Sequence, residues 1–74
     1  MHLGLGGAEA LEEAGALAYH MGRSEESVAL LRRAIEQDPL SATAYENLGF
    51  AYRTLGRLLD AEQALRKALE ISPQ

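Results

Sequence analysis

Two histidines, a cluster of carboxylates, two pairs of cations and a glycine-rich stretch are the residues of this 74-residue chain that could do chemistry. Glu9, Glu12 and Glu13 lie within one helical turn or so of each other. Carboxylates so spaced can share a proton or grip a cation. The same spacing suits the first turns of a helix, where negative charge complements the positive end of the dipole, and that is the expectation here. His2 and His20 are the only imidazoles and cysteine is absent, so the donor set of a zinc site falls short. Gly4, Gly6 and Gly7 imitate a phosphate-cradling loop in composition alone, with no strand before them and no lysine placed to hold a phosphate. Arg32 with Arg33, and Arg66 with Lys67, could hold an anion, but at helical spacing they are expected to pair with Glu36, Glu62 and Glu70. No nucleophile, base and orienting group fall into a shared pattern. The sequence therefore predicts no enzyme, no cofactor and no metal.

Composition narrows the class further. Hydrophobic residues make up 47% of the chain, but Trp is absent and Phe occurs once, so large side chains for a core are scarce. Eleven acidic residues against seven basic ones give a net charge of −4, which argues against a general nucleic-acid binder. The apolar runs are far shorter than the ~20 residues needed to span a bilayer, so no membrane insertion is expected. The start of the chain has no basic segment leading into an apolar one, and a cytoplasmic setting is the default expectation.

The elements that must position these residues follow from a repeat. Gly15 returns as Gly49, Gly22 as Gly56, Arg23 as Arg57, Arg32 as Arg66, Ala34 as Ala68, Glu36 as Glu70 and Pro39 as Pro73, a period of 34 residues. A period in that range signals stacked copies of one supersecondary unit. Residues 1–7 carry three glycines and no periodicity, and read as a flexible lead. Residues 8–41 form the first copy and 42–74 the second. In the first copy, Leu11, Ala14, Ala18 and Met21 fall at three- and four-residue steps and predict a helix over 8–21. Gly22 can adopt the left-handed conformation that ends it. Ser24 is placed to cap a second helix, with Glu25 and Glu26 in its first turn and Val28, Leu31, Ala34 and Ile35 as its apolar stripe. Asp38-Pro39 stops that helix near Glu36. In the second copy Ser41 is the cap, and Tyr45, Leu48, Ala51, Tyr52 and Leu55 face inward until Gly56. The fourth helix runs from Leu58 to Ile71, with Ala61, Leu65, Ala68 and Leu69 inward. Connections this short force antiparallel neighbours. The expectation is an all-α fold of four helices in two stacked antiparallel hairpins, with Gly15 and Gly49 admitting a neighbouring helix at close range.

This pattern resembles the tetratricopeptide repeat, a helix–turn–helix unit of about 34 residues. The second copy carries the fuller match: Tyr45, Leu48-Gly49, Tyr52, Gly56, Ala61, Leu65, Ala68 and Pro73. The first keeps Gly15, Gly22, Leu31, Ala34 and Pro39 but has Leu11, Ala14, Ala18 and Ser27 at the remaining signature positions. The resemblance implies a module that holds a peptide or partner helix on a concave face made by the first helix of each repeat. Carried onto this chain, that groove comprises Glu9, Glu12, Glu13, Ala16, Tyr19 and His20 from the first copy, and Thr43, Glu46, Asn47, Phe50, Arg53 and Thr54 from the second. One subfamily clamps a chaperone's C-terminal carboxylate with lysine, arginine and asparagine. Asn47 matches one clamp position, but Glu12 and Ala16 stand where a lysine and an asparagine would be needed, so that ligand is not expected here.

The alternative is a self-associating scaffold. Stacked repeats bury their second helix against the next unit. Leu58, Leu59, Leu65, Leu69 and Ile71 would be left partly uncovered on the fourth helix, and Leu59 occupies a position usually polar in the family. Contiguous exposed apolar surface marks an interaction site. A homo-oligomer, by two-fold packing or by exchange of a hairpin through residues 37–41, is the expected outcome of that reading.

Overall fold

The computed structural model describes residues 5–73. Four helices follow one another: α1 Leu5–His20, α2 Ser24–Gln37, α3 Ala42–Thr54 and α4 Leu58–Ile71. α1 packs on α2, α2 on α3 and α3 on α4, and α1 also touches α3. Among the described residues there is no strand. The expected architecture of two stacked helical hairpins is the one observed.

Each hairpin turns on a glycine. Gly22 and Gly56 have φ of +82° and +79°, the left-handed region that only glycine enters without strain. The turns are built alike. Arg23 N–H donates to the Ala18 carbonyl and Gly22 N–H to Tyr19; Arg57 N–H donates to Tyr52 and Gly56 N–H to Arg53. These paired bonds are the Schellman closure, and they satisfy carbonyls that the helix end would leave open. The turn also corrects one expectation. It runs straight through Arg23 into α2, so Arg23 takes the cap position and makes no side-chain cap bond. Ser24 becomes the first helical residue, and its Oγ is buried without a protein partner. Ser41 does cap, accepting the Ala44 N–H at 3.1 Å. The connection before it is held by Asp38, whose carboxylate accepts the Leu40 N–H.

α1 begins at Leu5, three residues before its expected start, so Leu5, Gly6 and Gly7 of the expected lead are helical. Residues 1–4 of that lead lie outside the described residues. Gly7 lies close to the Gln37 side chain at the end of α2, where a Cβ would fall 2.8 Å from Gln37 Oε1. The earlier start moves Glu9, Glu12 and Glu13 out of the first turn, which holds no acidic residue.

The core lies between the hairpins. Val28 and Leu31 of α2 meet Leu48, Ala51 and Tyr52 of α3, and Ala61 and Ala64 of α4 close the far side. Leu31 and Ala34 are 0% exposed. Full burial of a leucine side chain stabilises by roughly 2 kcal/mol. The mid-helix glycines admit these leucines: a Cβ on Gly15 would lie 2.6 Å from Leu31 Cγ, and one on Gly49 2.6 Å from Leu65 Cγ. Ser27, which replaces a signature alanine, is buried and donates to the Gly15 carbonyl at 2.7 Å. It ties α1 to α2 beside the Gly15–Leu31 contact.

Three expected inward residues face out. Ala14 and Met21 of α1 and Leu69 of α4 are exposed, because they point to the two ends of the stack, where no described residue covers them. Ala8 and Gly15 join the expected Ala18 on the inner face of α1. The anticipated pairing of Arg66 with Glu62 and of Lys67 with Glu70 is present, at 2.8 and 3.9 Å. Among the described residues neither Arg32 nor Arg33 bridges Glu36.

Candidate protein-interaction face

The face shared by α1 and α3 brings four of the expected groove residues into one cluster. The rings of Tyr19 and Phe50 stand 6.4 Å apart, tilted by 35°. His20 meets the Tyr19 ring edge-on at 5.4 Å. The Arg53 guanidinium lies 5.4 Å from the Phe50 ring centre, at cation–π range. The repeat explains this assembly. Arg53 is the counterpart of Tyr19 one period on, and Phe50 stands one helical turn before Arg53, so its ring falls between the two. A cluster of tilted rings with a cation beside it suits an apolar side chain carrying an acceptor nearby.

The remaining groove residues spread along the face. Glu12 accepts a hydrogen bond from the Ser41 hydroxyl, so this carboxylate ties α1 to the start of α3. Glu9, Glu13, Thr43 and Glu46 are exposed, and Ala16 and Asn47 are half-buried. Among the described residues no hydrogen bond or ion pair joins Glu9, Glu13, Thr43 or Glu46 to another side chain. Thr54 turns its hydroxyl back to the Phe50 carbonyl at 3.1 Å, so its donor is spent within its own helix. The face is thus acidic over the first half of α1 and aromatic and cationic where α1 and α3 end.

The outer side of α4 forms a second surface. Leu58, Leu59 and Leu69 are exposed, and Leu65 and Ile71 are half-buried. A groove of about 410 Å³ is lined by Arg53, Leu58, Ala61, Leu65 and Leu69, with the Glu62–Arg66 pair at its rim. Leu59 and Ile71 are not part of its lining. Arg53 borders both surfaces.

A third feature was not anticipated from the sequence. A trench of about 430 Å³ runs between α2 and α4, floored by Tyr45, Leu48 and Tyr52 of α3. Arg32 reaches the Tyr52 hydroxyl at 3.5 Å, and Arg57 lies over the Tyr52 ring at 4.8 Å. The signal was present in the repeat: Glu62, the residue that holds Arg66, is replaced in the first copy by Val28. Arg32 therefore lacks that carboxylate and turns across the trench.

Among the described residues no group of three His, Asp or Glu side chains could hold a metal ion, and no helix is long and apolar enough to cross a membrane. A family model described as tetratricopeptide repeat matches residues 12–74. An Hsp70-Hsp90 organising protein from Plasmodium falciparum is 36% identical over 64 residues, which is 86% of this chain and 25% of that protein. A protein of the same name from Plasmodium falciparum isolate 3D7 is also 36% identical over 64 residues, 86% of this chain and 11% of its own length. The chain spans a quarter or less of the curated relatives it matches.

Proposed function

The chain belongs to the tetratricopeptide repeat family, whose units are protein-interaction modules, and from that premise we propose that its α1–α3 face receives a peptide or a helix of a partner protein and carries out no catalysis. The observation that carries this reading is the cluster of Tyr19, His20, Phe50 and Arg53 at one end of a face whose other end is acidic. A complementary ligand places basic residues over Glu9 and Glu13, and an apolar side chain with an acidic neighbour against Phe50 and Arg53. The relatives' name points to the chaperones Hsp70 and Hsp90 as a partner class to test. This chain's own residues disfavour a bare C-terminal carboxylate over the first hairpin, because Glu12 and Ala16 offer it no cation and no amide. The cytoplasm is the setting this reading assumes.

Fluorescence polarisation with a small peptide library tests the proposal. Peptides with a basic half and an aromatic or aliphatic half bind, and Phe50→Ala or Arg53→Glu weakens them at least tenfold while leaving the circular dichroism unchanged. Equal binding by wild type and both variants would remove this face from consideration.

A second reading is favoured by the exposed leucines of α4. Leu59 is 75% exposed and Leu69 58%. In this reading the chain self-associates through that surface, and Leu59→Glu shifts it toward monomer.

A further inference from the structure

The contact between the two hairpins is a template whose two halves recur, uncovered, at opposite ends of the molecule. α3 covers α2 with Ala44, Leu48, Ala51 and Leu55, of which the first three are buried and the fourth half-buried. One period earlier these positions are Ala10, Ala14, Leu17 and Met21 of α1. All four are exposed, Leu17 by 60% and Met21 by 57%. The seat that α3 fills on α2 is made by Ser24, Val28, Leu31 and Ile35, and its counterparts on α4 are Leu58, Glu62, Leu65 and Leu69. Those counterparts line the open α4 groove. Among the described residues nothing fills that seat or covers that stripe, and the two match in register.

From this we infer that a second copy of the chain docks head to tail, its α1 stripe entering the α4 groove of the first in the manner of α3 on α2. This rests on the self-association reading above and replaces its two-fold packing with a different geometry.

The side chains agree with the docking in detail. At the internal contact Leu55 and Arg57 gather with Glu25 and Val28 around one small hollow. Shifted by one period, Met21 and Arg23 of the second copy come beside Leu59 and Glu62 of the first. The exposed Leu59 then gains an apolar neighbour, and Glu62 gains a cation where the internal contact has a valine. Bulk is redistributed without being lost: Leu17 replaces Ala51 on the stripe and Ala14 replaces Leu48, while Leu58 replaces Ser24 in the seat. Such an interface is heterologous, so each added copy leaves a new seat open and the assembly grows with concentration.

Two single variants and their mixture test this. Sedimentation velocity across a hundredfold concentration range reads the mass, and far-UV circular dichroism verifies that each variant is folded. Both substituted positions are exposed, so the hairpins tolerate them. Wild type is expected to form dimers and larger species in proportion to concentration. Leu17→Glu blocks the stripe, Leu69→Glu blocks the seat, and each alone is a monomer. Mixed one to one, the intact stripe of the Leu69→Glu chain meets the intact seat of the Leu17→Glu chain, and a species of twice the monomer mass that grows no further appears. Loss of assembly with Leu69→Glu alone, with Leu17→Glu assembling as wild type, would overturn head-to-tail docking and leave self-association standing. A wild-type monomer at every concentration would overturn both.

Discussion

Leu31 and Leu65 stand one period apart, at the same place in the two hairpins, under glycines that admit them equally closely. Leu31 is wholly buried and Leu65 only half-buried. Ala34 and Ala68 differ in the same way. The local fold is repeated, but the burial is not, because α2 has α3 on its outer side and α4 has no described neighbour there. In a stacked protein the energy of a residue depends on its copy number in the array as much as on its type.

Truncating both leucines tests that difference most sharply. Leu31→Ala leaves a cavity in the closed core and is expected to cost about 3 kcal/mol, while Leu65→Ala, whose site is already half-open, costs about 1 kcal/mol. Urea midpoints measure both. Equal losses would mean that the outer side of α4 is covered in solution. The glycines sharpen the comparison. Alanine at Gly15 gains helix propensity but drives a Cβ into a leucine that has nowhere to go, for a net loss of about 2 kcal/mol. At Gly49 the half-exposed Leu65 can swing aside, and the loss should fall to about 1 kcal/mol or less, with the Ala61 carbonyl at 3.3 Å as the remaining constraint. If thermal unfolding placed Gly49→Ala below Gly15→Ala, Leu65 would have to be more rigid than its exposure implies.

The hydroxyl of Ser27 belongs to the first hairpin alone, since the second has Ala61 there. Ser27→Ala removes one buried bond to a carbonyl already engaged in its helix, at a cost of about 1 kcal/mol. A neutral result in denaturant titration would show that the alanine of the second hairpin is as good a spacer. The smallest effect is expected at Arg66. Its bridge to Glu62 is exposed on both sides, so Arg66→Gln changes stability by about 0.5 kcal/mol or less and the change fades at high salt.

The fold was legible because its punctuation is doubled. Gly22 and Gly56 mark both hairpin turns, Gly15 and Gly49 both close approaches, and Ser41 the one side-chain cap at the described starts of α2, α3 and α4. What stayed hidden depended on neighbours. Periodicity tells which side of α1 or α4 is apolar, but not whether another helix lies there, so Ala14, Met21 and Leu69 read as core and are surface. Ser24 and Ser41 look alike as caps, yet the Schellman turn carries Arg23 into the cap position and leaves Ser24 inside the helix. Of the groove residues, Tyr19 and Arg53 stand one period apart on α1 and α3 and Phe50 one turn before Arg53, which brings the three together, whereas the engagement of Glu12 with Ser41 joins α1 to the cap of α3 and has no local signal.

The one-sided packing of α4 has a kinetic consequence. α2 is gripped by α1 and α3, whereas among the described residues α4 packs on α3 alone. The amides of α4 should therefore exchange with deuterium through a local opening well below the global unfolding free energy, while those of α2 exchange only when the whole chain unfolds. The α4 surface exists only while that helix is closed. Anything that occupies it draws on the closed population and slows α4 exchange by the factor 1 + [L]/Kd. The exposed side of α4 is in that sense a built-in reporter: the protection of that helix registers whether a neighbour has arrived.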